Sequence, residues 1–436
     1  MGISQKLYET AKIFIPGGTQ LLTKRPEMFL PNLWPAYYSS CKGCEIHDLD
    51  NNKYIDMSYM GIGSCILGYA DSYVDNIVIN AIRRGSMSTL NCAEEVLLAK
   101  KLCELHQWAK MVRYARTGGE AMAIAVRIAR TKTGRELILF CGYHGWHDWY
   151  LSANLTKDNA LEGHLLPGLE PNGIPKALKD TSIPFKYNDH DGIKKLFDKY
   201  KNNIAAVIME PMRNYWPKND FLKLIRDLAD TYNVVLVFDE ITSGWRMCVG
   251  GIHQLLFVNP DIAVFAKAIS NGYPMAAIIG KASVMNAIQN TFVSSTYWTE
   301  RIGPVAALAT ISKLEKRNVP SCLQKIGNTV KDGWKNLSKK HNIKINISGI
   351  SPLSHFEFHS IYNPLILKTL LTQYMLDEAY LATNTLYASY AHDGYVDEYL
   401  SAMDRSFAKI SDAISSGNPG KYLNGPICHA GFNRLN

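Results

Sequence analysis

Ile204-Ala205-Ala206-Val207-Ile208-Met209, then Phe221-Leu222-Lys223-Leu224-Ile225-Arg226-Asp227-Leu228, then Val234-Val235-Leu236-Val237-Phe238-Asp239, is the stretch that decides the fold. The outer two runs are apolar and of strand length. The middle one sets Leu224, Ile225, Leu228 and, beyond it, Tyr232 on one helical face. Strand, helix, strand with wholly apolar strands marks a parallel sheet covered on both faces. Working outward, helix and buried strand alternate from about Asp71 to Leu314, with further strands at Ile262 to Phe265 and Met275 to Ile279. After Lys316 the order changes to a helix (Cys322 to Lys340), strands (Ile343 to Ile347, Ser354 to Phe358) and two helices (Ile366 to Leu376, Val396 to Ser415). Toward the amino end, Ile3, Leu7, Ala11 and Phe14 form one helical stripe that stops at Pro16-Gly17-Gly18, and Glu45 to Met57 reads as a hairpin. The expected organisation is α/β: a large domain over 71–315 with a mostly parallel central sheet between helices, a smaller α+β domain over 316–436, and a segment over 1–70 that joins the smaller domain.

The composition narrows the function. At 436 residues, with 47% hydrophobic and 20% charged, the chain is neither disordered, collagenous nor a coiled coil. Its net charge of +8 is scattered rather than gathered in a stripe, which argues against nucleic acid. Apolar runs are too short for a membrane span. Gly2-Ile3-Ser4-Gln5-Lys6 resembles neither a signal peptide nor a myristoylation site, so the expected address is the cytoplasm. Nine cysteines spread from Cys41 to Cys428 read as reduced thiols, and the single Cys41/Cys44 pair has no second pair to complete a zinc site.

In such sheets ligands bind beyond the carboxyl ends of the strands, so Glu210, Asp239 and Lys267, each directly after a buried strand, are the first candidates. A lysine there is poorly solvated. Desolvation lowers its pKa, and a neutral amine is what a Schiff base with an aldehyde requires. An aspartate at a neighbouring strand end could keep a proton on a pyridine nitrogen and make that ring an electron sink. The alternative is that Asp239 and Lys267 simply pair as a salt bridge or cap helices. Thr117-Gly118-Gly119-Glu120-Ala121 offers two glycines before a helix whose amino end suits a phosphate, and no Walker lysine follows. Tyr143-His144-Gly145-Trp146-His147-Asp148-Trp149 permits three readings: a stacking platform for a flat ring, a metal cluster of His144, His147 and Asp148, or a packed loop. No metal is expected, because the spacing lacks further ligands.

Together these segments resemble the class III, fold-type I pyridoxal-phosphate-dependent aminotransferases, and within them the glutamate-1-semialdehyde 2,1-aminomutases. The matching pieces are Ile15-Pro16-Gly17-Gly18, Thr117-Gly118-Gly119-Glu120-Ala121, Tyr143-His144-Gly145 and Phe238-Asp239-Glu240-Ile241-Thr242-Ser243-Gly244-Trp245-Arg246. They are followed by Pro260-Asp261 and by Lys267 ahead of Asn271-Gly272-Tyr273-Pro274. The likeness runs from about Leu7 to Leu314 and more loosely beyond. It implies pyridoxal 5'-phosphate as cofactor, Lys267 as the Schiff-base lysine and Asp239 on the pyridine nitrogen. Tyr143 and Ile241 would lie on the two ring faces, Thr117, Gly118 and Gly119 would hold the phosphate, and Glu210 would stand close by. Thr299 would reach the phosphate of a neighbouring subunit, which implies a homodimer with shared active sites. Leu165 to Pro175 is similar to the aminomutase gating loop.

The departures fall on substrate-side positions. Ile62 replaces a tryptophan, Thr19-Gln20-Leu21-Leu22 replaces a serine-containing loop, and Leu386-Tyr387-Ala388 lacks the family's acidic residue. Cofactor machinery kept beside an altered substrate site implies an aminotransferase that moves an amino group from an amino-acid donor to an aldehyde or ketone, a carbohydrate-derived one among them. Two alternatives stand beside it: aminomutase-type transfer within one molecule, and a non-catalytic scaffold that binds the cofactor. Arg213, Arg246 and Arg301 are each able to clamp a substrate carboxylate.

Overall fold

A computed structural model describes residues 2–156, 160–161 and 168–431. The chain divides into two compact units, one of Ser72–Pro320 and one of Met1–Asp71 with Ser321–Asn436. In chain order the strands are β1 (Tyr38–Lys42), β2 (Glu45–Asp48) and β3 (Lys53–Asp56); then β4 (Met111–Ala115), β5 (Leu137–Cys141), β6 (Ser182–Pro184), β7 (Ile204–Met209), β8 (Val235–Asp239), β9 (Ile262–Phe265) and β10 (Ala276–Gly280); then β11 (Ile345–Ser348), β12 (Leu353–Phe358), β13 (Tyr380–Leu381) and β14 (Thr385–Tyr387).

In the 72–320 unit seven strands form one sheet in the order β4-β10-β9-β8-β7-β5-β6. Four neighbouring pairs, β5 with β6, β5 with β7, β7 with β8 and β8 with β9, run parallel. β10 is antiparallel to both β9 and β4, an exception that the apolar pattern alone does not reveal. The physical reason lies in the connection. Only Ala266 to Met275 joins β9 to β10, and it holds a single 3-10 turn at Lys267–Ser270, too little chain for a crossover helix. Strands β5, β7, β8, β9 and β10 are buried at every residue, because both faces are covered. One face packs on the Gly118–Thr133 helix through Ala121, Met122, Ile124, Ala125 and Ile128. The other packs on Phe221, Leu222, Ile225 and Ala229 of the Phe221–Thr231 helix. That buried stripe is turned from the expected Leu224–Ile225–Leu228–Tyr232 line, whose outer members are only half-buried.

In the other unit β1-β2-β3-β13 form one sheet, with β13 parallel to β3, and β11-β12-β14 form a small antiparallel sheet. The hairpin read from sequence is β2 and β3; β1 was not foreseen. The opening helix spans Ile3–Phe14, but it buries Ser4, Tyr8 and Ala11 and leaves Ile3, Leu7, Ile13 and Phe14 exposed. Polar pinning turns it this way: the Tyr37 amide donates to Ser4 Oγ (2.9 Å) and Tyr8 Oη donates to Glu27 (2.9 Å). Among the described residues no helix is long and apolar enough to cross a membrane.

Candidate active site

Because β5, β7, β8 and β9 are parallel neighbours, the residues at their carboxyl ends share one sheet edge. That edge collects Tyr143 and His144 after β5, Glu210 after β7, Asp239 at the end of β8 and Lys267 after β9. Lys267 starts its 3-10 turn with φ of +48°, a left-handed conformation that is uncommon for a residue bearing a long side chain. Its Nζ donates to Thr242 Oγ1 at 2.9 Å. The Thr242 carbonyl in turn accepts from Nε of the fully buried Arg246 at 2.7 Å. Burial, then the positive charges of Arg213 and Arg246, push the Lys267 amine from its ordinary 10.5 down to about 8, against the opposing pull of Glu210 and Asp239.

Asp239 does not pair with Lys267. Its Oδ2 lies 2.8 Å from Nδ1 of buried His144, and its Oδ1 accepts from the Ile241 amide at 3.0 Å. His144 Nε2 faces the Cys141 carbonyl at 3.2 Å. Both ring nitrogens thus face acceptors, a carbonyl on one side and a carboxylate on the other. His144 is therefore a partner of the carboxylate rather than a metal ligand. The next residue, Glu240, is wholly buried and accepts from the Ile252 amide (2.7 Å), the His253 amide (2.9 Å) and His253 Nδ1 (2.7 Å). It pins the loop that carries Ile241, Thr242 and Arg246.

The Gly118–Thr133 helix begins in a capping box, in which Thr117 Oγ1 and the Thr117 amide both engage Glu120. Thr117 is thereby occupied. The amides of Gly118 and Gly119 find no acceptor among the described residues and stand as free donors at a helix amino end. A Cβ on Gly118 would lie 2.8 Å from Ile241 Cδ1, and one on Gly119 would lie 3.1 Å from the His147 ring. Tyr143, half-buried, meets Tyr150 edge-on at 5.8 Å, and burial raises its phenol pKa. Its amide lies 3.5 Å from Glu210, which is ion-paired to Arg213 at 3.2 Å.

Not everything named from sequence converges. Arg301 is engaged by Glu94 (3.2 Å) and the Gly85 carbonyl (3.2 Å). Thr299 is exposed and turns its hydroxyl to the Thr296 carbonyl at 3.0 Å. Of the gating-loop segment, Leu165, Leu166 and Pro167 lie outside the described residues. Conversely, Thr242 as the lysine's acceptor and His144 as the aspartate's partner were missed; each is a polar residue within three positions of a named one, and only folding reveals what it faces.

A flat ring bearing an aldehyde, a basic nitrogen and a phosphate finds its complements here: a low-pKa amine, a braced carboxylate, two apolar or aromatic side chains and two free amides at a helix start. Fold and site thus define a fold-type I enzyme of the pyridoxal-phosphate kind. The family model described as Aminotransferase class-III matches residues 31–373. The chain is 32% identical over 401 residues to the 3-aminobutyryl-CoA aminotransferase of Cloacimonas acidaminovorans, covering 90% of this chain and 91% of that one. It is 31% identical to the glutamate-1-semialdehyde 2,1-aminomutase of Methanocaldococcus jannaschii, over 82% and 84% of the two chains. The fold matches that of the FumI protein of Sphingopyxis sp. MTA144, with a TM-score of 0.86 at 24% identity over 97% and 100% of the chains. The chain belongs to the class III aminotransferases, enzymes that use pyridoxal phosphate to act on small-molecule amino donors and carbonyl substrates.

Proposed function

We propose that this enzyme is an aminotransferase that takes an amino group from an amino-acid donor and gives it to an aldehyde or ketone, with carbohydrate-derived carbonyls among the acceptors to test. The observation that carries the reading is Lys267, an amine brought down to about 8 and oriented by Thr242 at the same sheet edge as Asp239 and the Gly118 and Gly119 amides. When bound, pyridoxal phosphate supplies an aldehyde that bonds amines and a protonatable ring that accepts electron density. In this reading Lys267 Nζ would hold the cofactor aldehyde and, as an amine that is neutral in part near pH 7, would take up and return a proton at its own nitrogen. Thr242 keeps the amine aimed while it waits. Asp239, braced by His144, would face the ring nitrogen and favour its protonated form. Tyr143 and Ile241 would lie on the two ring faces, and the Gly118 and Gly119 amides, with the turn formed by Thr117, would receive the phosphate. Glu210 positions the Tyr143 turn through its contact with the Tyr143 amide.

The same proposal includes a homodimer in which Thr299 serves the neighbouring subunit's phosphate. Its support is the apolar surface of the 72–320 unit, where Ile82 (54% exposed), Leu90 (81%), Val96 (60%) and Leu97 (53%) lie on or between two consecutive helices. Aminomutase-type transfer within one molecule is the second reading, favoured by the likeness to the aminomutase named above. The visible spectrum of the cofactor-loaded protein, recorded before and after L-glutamate, separates them. Loss of the lysine-bound cofactor band supports an aminotransferase with that donor. A band untouched by glutamate and by other amino acids overturns this reading in favour of the aminomutase, and failure to form any band overturns both.

A further inference from the structure

Behind the phosphate-binding helix start lies a second cleft, of about 360 Å³, between that helix and the Trp146–Trp149 turn. Ala123, Val126, Arg127, Arg130 and Thr131 line it at spacings of three and four, so they form one stripe of the Gly118–Thr133 helix. Trp146, His147, Asp148 and Trp149 form the opposite wall. This wall is the part of the aromatic, histidine-rich segment that the Lys267 site does not use.

Its chemistry is donor-rich, with two guanidiniums and an indole N–H against the single carboxylate of Asp148. Arg130 Nε donates to the Glu136 carbonyl at 2.8 Å, but among the described residues its Nη2 is buried without a partner, as are Trp149 Nε1 and His147 Nδ1. Arg130 Nη2 and Trp149 Nε1 can only donate, and an unpaired buried donor is costly, so these two favour an occupant that accepts hydrogen bonds; His147, whose pKa burial lowers, offers Nδ1 as donor or acceptor according to its tautomer. Arg127 makes only a long contact, 3.5 Å, to the Phe292 carbonyl. Among the described residues neither arginine has a carboxylate partner, and the two guanidiniums outnumber the one acid of the lining, Asp148. Trp146 is 68% exposed and lies flat on His147, with ring centroids 4.4 Å apart. Its exposed side is a face on which a planar body can rest.

We propose that this cleft binds a small anionic ligand whose carboxylate or phosphate is held by Arg130 and Arg127 and whose body lies against Trp146. The site has a route to the cofactor. His147 and Trp146 approach Gly119 so closely that an added Cβ would lie 3.1 Å from the His147 ring and 3.5 Å from Trp146 Nε1. An occupant that moves these rings is therefore felt at one of the two amides offered to the cofactor phosphate, which makes the cleft an effector site on the same helix.

The test titrates inorganic phosphate and, separately, benzoate into the protein saturated with pyridoxal phosphate, followed by calorimetry and tryptophan fluorescence. The visible cofactor band reports separately that the cofactor is in place, so loss of the proposed function is not mistaken for loss of this site. The expected result is saturable binding of at least one probe, one per chain, weakened about tenfold or more in Arg130→Gln, with the fluorescence change abolished in Trp146→Phe. Which probe binds decides between phosphate and carboxylate. Arg127→Gln, on an exposed side chain, gives the same direction of effect should Arg130→Gln fold poorly. Absence of binding by both probes at millimolar concentration, or binding that survives both arginine substitutions, overturns the proposal.

Discussion

Replacing Gly118 with Ala tests the cofactor cradle at its tightest point. The new methyl would sit 2.8 Å from Ile241 Cδ1, 3.3 Å from Cγ2 and 3.5 Å from Cγ1, whereas unstrained carbon contacts lie near 3.5–4 Å. Gly118 has no positive φ, so backbone strain does not contribute. Relief must come from Ile241, which can swing Cδ1 away but then leaves the position proposed to press on the ring. Overpacking of this kind costs about 1–2 kcal/mol, near the lower end of the usual range because the clash falls mainly on a side-chain tip. That converts to about a 5- to 30-fold weaker affinity for pyridoxal phosphate. Equilibrium titration of the cofactor-free protein, followed by the visible band, measures it, with a thermal melt of the same cofactor-free protein as the control for folding. Ile241→Val removes Cδ1, so the double variant should regain most of the affinity, and the coupling between the two positions isolates the contact. Unchanged affinity in Gly118→Ala, or no recovery in the double variant, would refute the assignment of Gly118 and Ile241 to one cradle.

Four further outcomes are expected. With its amine at about 8, Lys267 is about one-tenth neutral at pH 7, against about one in three thousand at the ordinary value. Capture of pyridoxal phosphate by the cofactor-free protein should therefore rise with pH and level off above about 8, and a rise continuing toward 10 would contradict the depressed value. Between about 8 and 10.5 the unfolded chain holds a proton on this lysine that the folded one lacks, so this group's contribution to stability rises with pH there; Lys267→Met should raise the melting temperature of the cofactor-free protein most below pH 8 and progressively less above it. Glu240→Ala strips the acceptor from the Ile252 and His253 amides and from His253 Nδ1, which should cost about 3 kcal/mol in urea unfolding, and a loss under about 1 kcal/mol would show that the loop is held otherwise. Under the proposed homodimer, Val96→Glu combined with Leu97→Glu should shift sedimentation from dimer to monomer, and a dimer that survives both changes would refute the use of this surface.

Much of this protein is legible in its sequence, for local reasons. Wholly apolar runs of strand length with β-branched residues, such as Val235 to Phe238, read as strands buried on both faces, and a polar residue directly after one falls at a sheet edge. That is why Asp239, Glu210 and Lys267 could be named, and why Gly118-Gly119 ahead of an apolar helix could be read as an anion site. The spacing also placed the hairpin at Glu45 to Met57 and the late helices. What periodicity could not supply is direction and facing. The reversal of β10 follows from a short connection, and the outward apolar edge of the first helix follows from Ser4 and Tyr8 finding partners in distant segments. Pairings between residues far apart in sequence were decided by the tertiary structure alone. His144 meets Asp239 across 95 positions, Lys267 meets Thr242 across 25, and Trp149 and Arg130 share a cleft only because a helix packs beside a turn. A sequence fixes which groups stand at the ends of strands and helices, since that depends on local pattern. Which of them share a hydrogen bond, lose their water or are left without a partner depends on how the strands are ordered, and that only the folded chain determines.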